Sequence, residues 1–229
     1  MAKVLGLPHY ELIRKTDENG ERVYENPLGT FRSVTSILGA TSDTSGLDAW
    51  RERVGEDAAD MICKLASRRG TLTHDHTEQY LLTGAEPKFD FASAPFWKSI
   101  KPFLKKVEKV GILEASVWHP DRFAGALDGI VWMDKTQTQP VLVDWKTANK
   151  PINNIKEYNY KLQVSAYREA ANYVYKLQGL NISEALIVVA LPDMEAQIIS
   201  IGLEEIKQCY AHFRNRCERV YGTGAYKKD

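Results

Sequence analysis

Pro140-Val141-Leu142-Val143-Asp144-Trp145-Lys146-Thr147 is the stretch on which the reading of this chain turns. It is apolar enough for an interior β-strand, yet it carries an acid and a base. Successive side chains of a strand point to opposite faces, so Asp144 and Lys146 share one face and Val143 and Trp145 take the other. Among such apolar neighbours a carboxylate and an ammonium are costly unless paired or bound to something. Upstream, Phe123–Trp132 reads as a second strand and holds Gly125-Ala126-Leu127-Asp128-Gly129; the polar run Asp134-Lys135-Thr136-Gln137-Thr138-Gln139 reads as the turn between the two. If the strands are neighbours, Asp128 lies beside Asp144. Two acidic oxygens suit a hard divalent cation, and a lysine beside them can steer a water or a phosphate.

Working outward, residues 10–15 and 21–25 flank Asp17-Glu18-Asn19-Gly20, the signature of an N-terminal β-hairpin. Ser33-Val34-Thr35-Ser36-Ile37-Leu38-Gly39 predicts a short capped helix. Residues 47–84 are largely helical, with Ala58, Ile62, Leu65 and Ala66 at helical spacing and a break or bend expected at Gly70. A helix over 94–110 opens at Pro95 and kinks at Pro102. A strand over 111–119 precedes the two already described. A long helix over 154–177 carries the stripe Tyr158, Leu162, Ala166, Ala170 and Val174. Strands over 185–191 and 196–201 and a closing helix over 203–221 complete the order. Helical insertion, strand meander, crossover helix and further strand fit an α/β fold with a mixed sheet flanked by helices.

These residues together resemble the PD-(D/E)XK nuclease superfamily in its RecB-family exonuclease branch. There the first acid follows a glycine, as Asp128 follows Gly125, and the second acid and the lysine form Asp-x-Lys, as in Asp144-Trp145-Lys146. Gln163-Val164-Ser165-Ala166-Tyr167 is similar to the branch's Gln-x-x-x-Tyr pair, and Gly70-Thr71-Leu72-Thr73-His74 to its Gly-x-x-x-His motif. Glu114 stands where a glutamate precedes the first acid. Leu127 replaces the proline of the superfamily name. The resemblance implies a restriction-endonuclease-like core within one domain over 1–229: hairpin and helical part over 1–110, catalytic core over 111–201, closing helix over 202–229. It implies Mg²⁺ or Mn²⁺ held by His74, Asp128, Asp144 and the Trp145 carbonyl. Catalytic roles fall to Asp128, Asp144, Lys146, Glu114, Gln163 and Tyr167. The segment Arg32-Ser33-Val34-Thr35-Ser36-Ile37-Leu38 is similar to one in single-strand-selective DNA exonucleases of phage and of mitochondrial genome maintenance.

Each residue also has a plainer reading. Asp128 fits a turn-entry aspartate, Asp144 and Lys146 a surface ion pair, and Glu114 an edge-strand charge. His74 and His76 lie two apart on a helix and cannot grip one ion together, so His76 is expected at the surface. Lys98, Lys101, Lys105 and Lys109 recur at helical spacing and form a candidate phosphate-binding stripe, with Arg68 and Arg69 as a second basic patch; solvated faces are the alternative. Trp50, Trp97, Trp118 and Tyr80 suit either base stacking or core packing.

The chain's 229 residues carry 30 basic and 30 acidic side chains, so attraction to nucleic acid has to come from local clustering. Cys63, Cys209 and Cys217 are too few for a disulfide scaffold, and an iron–sulfur cluster is not expected. No membrane-spanning run is legible, and a cytoplasmic setting is inferred. The expected activity is that of a metal-dependent DNA exonuclease preferring single strands or free ends, in recombination, repair or phage DNA metabolism. The alternatives are a structure-specific or CRISPR-adaptation-type endonuclease, and a silent DNA-binding module on a nuclease fold.

Overall fold

The computed structural model describes residues 2–88, 90–133 and 139–222. Apart from Gln139, the turn expected between the two motif strands lies outside the described residues, as does the tail beyond residue 222.

The chain opens with β1 (Lys3–Val4), β2 (Ile13–Thr16), β3 (Arg22–Asn26) and β4 (Gly29–Ser33). The β2–β3 hairpin forms because Asp17 Oδ1 accepts from the amides of Asn19 and Glu21 at 2.9 and 2.8 Å, an Asx-type turn. Next comes α1 (Val34–Thr41), capped by Ser33, whose Oγ accepts from the Ser36 amide at 2.9 Å. α2 (Ser45–Val54) and α3 (Glu56–Thr83) follow. The helical run breaks at Gly55, with φ at 87°, and not at Gly70. A mid-helix glycine costs only about 1 kcal/mol, which a helix of 28 residues tolerates; a positive φ it cannot.

α4 (Ala94–Leu104) is shorter than the sequence suggests. Pro102 removes an amide from its last turn, the chain turns over at Lys105 and Lys106, and Lys109 starts β5 (Lys109–His119) opposite Trp132. The lysine stripe is therefore dispersed. Lys98 and Lys101 stay on the helix, Lys105 caps it, Lys109 belongs to the sheet, and Lys101 is paired with Glu86.

The remaining strands and α-helices are β6 (Phe123–Trp132), β7 (Val141–Thr147), α5 (Asn154–Val174), β8 (Glu184–Ala190), β9 (Gln197–Gly202) and α6 (Leu203–Tyr221). All strands join one mixed sheet in the order β2-β3-β4-β6-β7-β8-β9, with β5 paired to β6 and β1 to β5. β5 lies antiparallel along the whole of one edge of β6. The other edge is shared. β4 takes it at Phe123 and Ala124, and β7 takes it from Gly129 to Val131. Between them, residues 125–128 have no ladder partner on that side, and the sheet opens into a gap.

The sheet is buried on both faces. Leu142, Ile187, Leu162, Phe213 and Ile37 pack on the side of α1, α5 and α6. Val143, Trp145, Val188, Phe96 and Phe103 pack on the side of α3 and α4. Trp97 and Trp118 are core side chains, as the packing alternative for the aromatics requires. Among the described residues no helix is long and apolar enough to cross a membrane.

Candidate active site

The gap in the sheet is where the acids meet. Asp128 is the β6 residue just before the ladder to β7 resumes, and its Oδ2 accepts from the Trp145 amide at 2.7 Å, bridging the two strands. Asp144 is fully buried on β7 and shares its face with Lys146, as strand alternation requires. Lys146 Nζ lies 2.5 Å from Asp144 Oδ2. The contact is a buried ion pair in which charge attraction and a short hydrogen bond both contribute. Its partner oxygen, Oδ1, accepts from Gln163 Nε2 at 3.1 Å.

α5 brings the Gln-x-x-x-Tyr pair to this face. Tyr167 lies one turn beyond Gln163 and packs against Gly125. A Cβ on Gly125 would sit 2.9 Å from the tyrosine ring, so the glycine lets α5 close on β6. Tyr160, which the sequence reading missed, lies on the same face of α5, and its ring sits 5.3 Å from Lys146 Nζ. Its spacing of three from Gln163 and seven from Tyr167 was the available signal.

α3 brings His74 from the opposite side of the sheet. His74 Nε2 lies 3.0 Å from the Trp145 carbonyl, and Nδ1 lies 3.4 Å from Glu114 Oε1 and 3.8 Å from Asp128 Oδ1. Glu114 reaches this position through an irregular backbone. Leu113 packs with the α3–α4 core and Ala115 with the α5–α6 core, although alternation would put both on one face. Glu114 between them has φ at 48°, an uncommon region for a side-chain-bearing residue. The phase reversal turns its carboxylate toward α3, where strand alternation would have put it on the face of Ile112. Glu78, one turn beyond His74 on α3, feels the Glu114 charge and was also missed.

His76 is a buried side chain, not a surface one. Its Nε2 lies 3.2 Å from Ser93 Oγ, and its ring meets Trp97 edge-on. Arg68 pairs with Asp90 at 3.1 Å, whereas Arg69 turns toward the end of β7 and donates to Asn149 Oδ1 at 2.8 Å.

The electrostatics are those of crowded negative charge. Burial, eased only partly by Lys146, raises the Asp144 carboxyl to about 6. Burial likewise raises Asp128, against the pull of Lys146 and His74. Burial alone would lower His74, but the Glu114 hydrogen bond and the Asp128 charge lift it to about 9. Burial would also lower Lys146, yet Asp144 and Asp128 outweigh it and hold the ammonium charged. Ligand atoms of His74, Glu114 and Asp128 lie within 4.8 Å of one another. An imidazole nitrogen and carboxylate oxygens, with the buried Asp144 carboxylate beside them, form a donor set that suits a divalent cation. Asp144 stands on the α5 side of this group, against Lys146 and Gln163.

A family model of the PD-(D/E)XK nuclease superfamily matches residues 41–223. The chain belongs to this superfamily. The matched span holds residues 125–128 at the gap, the Asp-x-Lys strand and the helices that carry His74 and Gln163. Among solved structures, one described as a candidate exonuclease from Eubacterium rectale aligns with a TM-score of 0.44 at 13% identity; the match covers 67% of this chain and 66% of that one, just under two thirds of its length. No curated protein matches the chain. The mixed sheet and flanking helices are those of this superfamily's fold.

Proposed function

We propose that this nuclease is a divalent-metal-dependent deoxyribonuclease of the RecB-like branch that digests single-stranded or free-ended DNA from an end. The observation that carries the reading is the gap between β4 and β7, where Asp128, Asp144, Lys146 and His74 converge from both faces of the sheet. Asp128, Asp144 and His74 would hold the cation, with the Trp145 carbonyl and Glu114 adjoining. Such a cation, when bound, supplies Lewis acidity that makes water a better nucleophile and offsets charge building on the phosphoryl oxygens.

The protein's own groups do the rest. Lys146 is held protonated, so it acts as a fixed cation that orients the scissile phosphate and not as a base. Gln163 fixes the rotamer of Asp144 through Oδ1. Tyr167 holds α5 against β6 at Gly125 and so sets the width of the gap. In the hydrolysis the water oxygen forms the new bond to phosphorus, the bond to the leaving sugar oxygen breaks, and that oxygen takes a proton.

Preference for an open strand is supported by the helices beside the gap. α2 has no buried residue, and over its first half α3 buries only Ala59. Together they form an exposed wall along which a single strand could be led to His74. Basic side chains at Arg68, Arg69, Lys98 and Lys105 are candidates for backbone contacts.

Linear single strands labelled at either end, a closed single-stranded circle and a duplex, each with Mg²⁺ and with Mn²⁺, test the reading. Digestion of linear strands with the circle left intact is the expected result. A circle cut as fast as a linear strand would make the enzyme an endonuclease. Cleavage of none of them under either metal would make the fold a silent binding module.

A further inference from the structure

We propose that the pocket beside Lys146, between α3, the loop after β7 and the start of α5, is a phosphate subsite. It would seat a phosphate of the nucleic-acid chain next to the one being cleaved, and it thus rests on the nuclease reading. The cavity, of about 430 Å³, is lined by Arg69, Thr147, Asn149, Lys150, Asn153 and Tyr160 among others and, among the described residues, by no carboxylate. The contrast with the adjoining site is sharp: three carboxylates lie on one side of Lys146, and two cations with neutral polar groups on the other.

The Arg69 guanidinium is built in. Nη1 donates to Asn149 Oδ1 at 2.8 Å, Nε faces Thr147 Oγ1 at 3.4 Å, and the group stacks 4.5 Å from the Phe96 ring centroid. Its fixing partners are neutral, so its full charge stays available to a ligand. A guanidinium has five N–H donors in a rigid fork that matches phosphate oxygens, and those not held by Asn149 and Thr147 remain for an anion. Lys150 adds a second charge from an exposed position on the same wall.

The pocket is also placed where the chain must go. Tyr160 lines it and carries Lys146 Nζ above its ring, so subsite and scissile site share a wall. Asn149 lies three residues beyond Lys146, past the end of β7, so their backbones are at most about 10 Å apart, which is close enough for a neighbouring phosphate of the same strand. The phosphate has two sources, an internal diester or the monoester at a strand end.

The test compares wild type with Arg69→Gln, Lys150→Gln and, as a control on the distant helix α6, Lys207→Gln. Cleavage is followed on single strands ending in 5′-phosphate, 3′-phosphate or hydroxyl, and affinity is followed against salt in Ca²⁺. Arg69→Gln should raise KM about 10-fold or more, the scale of a charged hydrogen bond, and Lys150→Gln a few-fold, with the smaller share of either loss in kcat. Each should lower the salt slope by about 0.7 for single strands, while Lys207→Gln leaves it alone. A loss confined to phosphate-ended strands assigns the pocket to the terminal monoester; an equal loss on hydroxyl-ended strands assigns it to an internal diester. If Arg69→Gln fails to fold, the slope of Lys150→Gln decides, because that exposed side chain holds nothing in place. Wild-type KM and salt slope in the folded variants would overturn the subsite. Absence of cleavage by wild type, with the slope changes present, would overturn the nuclease reading and leave the anion site standing.

Discussion

Two histidine–carboxylate clusters lie along the same pair of strands, and they behave oppositely. At the turn of the β5–β6 hairpin, His119 Nδ1 accepts from the Asp121 amide at 3.1 Å. The Asp121 carboxylate takes the Tyr210 hydroxyl at 2.5 Å and Arg214 Nε at 3.0 Å. Burial lowers His119, with Asp121 opposing, so the ring stays neutral. Further along the strands, His74 faces Glu114 and Asp128 and is lifted to about 9. One cluster balances its charges internally. The other keeps more negative charge than its neighbours neutralise, with a backbone turned out of register to bring Glu114 in. Surplus charge held at structural cost is the physical mark of a binding site, because strain of about 1–3 kcal/mol at such a residue persists only where the surroundings enforce it.

The largest break in this comparison is catalytic. Asp128→Asn and Asp144→Asn should each lower cleavage more than about 100-fold, since even outer partners of a metal site cost 10–100-fold, while Asp121→Asn should leave activity per folded molecule near wild type. Lys146→Ala should lose about 10²–10³-fold, on the scale of a single transition-state donor, yet still bind Mn²⁺ in calorimetry. Near-wild-type cleavage by either aspartate variant, in preparations free of contaminating nuclease, would remove them from the chemistry.

Cation binding should separate the clusters next. Mn²⁺ at a hundredfold excess over its Kd should stabilise wild type by about 2.7 kcal/mol, or roughly 5–10 °C in Tm for a chain of this size. EDTA should reverse the shift, and Asp128→Asn should lose most of it. An equal shift in Asp128→Asn would place the cation elsewhere. The hairpin cluster should show a comparable effect on stability alone. Asp121→Asn is expected to cost about 1.5–3 kcal/mol, as for a hydrogen bond to a charged group, read as a lower urea midpoint with an unchanged m-value.

The last separation is in pH, and its sign differs between the two rings. For His119, whose folded-state pKa lies below the ordinary 6.5, the unfolded chain takes a proton that the folded one refuses. Its contribution is present above that value and is lost as pH falls below it. For His74, lifted to about 9, the contribution is present below 6.5 and is lost as pH rises through about 9. In EDTA, the stability gap between wild type and His119→Gln should shrink from pH 7 to pH 5, and that between wild type and His74→Gln should shrink from pH 6 to pH 9. Gaps that move in the same direction would show that the two rings are not opposed.

Much of this architecture was legible in the chain. β6, β7 and α6 run between the residues that apolar patterning indicates, because each is a continuous apolar or amphipathic run bounded by turn residues. Asp144 and Lys146 had to share a face, and Gln163 and Tyr167 another, since periods of 2.0 and 3.6 fix which side chains are neighbours within one element. Helix endings were less legible. Gly55 and Gly70 are the same residue type and both follow basic residues, but only Gly55 is followed at once by acidic ones, Glu56 and Asp57, the charge pattern of one helix ending and the next beginning. The lysine stripe failed for a different reason: its spacing suits a helix that β-pairing with Trp132 ends before Lys109.

What the sequence determined by itself was the set of local faces: which acid goes with which base, which glutamine with which tyrosine, and that the strands around them are interior. The tertiary structure alone decided how those faces meet. β4 and β7 share one edge of β6 and leave residues 125–128 open between them; α3 crosses to put His74 over the Trp145 carbonyl; and the left-handed Glu114 reverses its strand's phase. Arg69 faces the pocket while Arg68 faces Asp90, a difference that adjacency in sequence cannot express. Strand order, register shifts and helix crossings depend on contacts between residues far apart in the chain, and local periodicity carries no term for them.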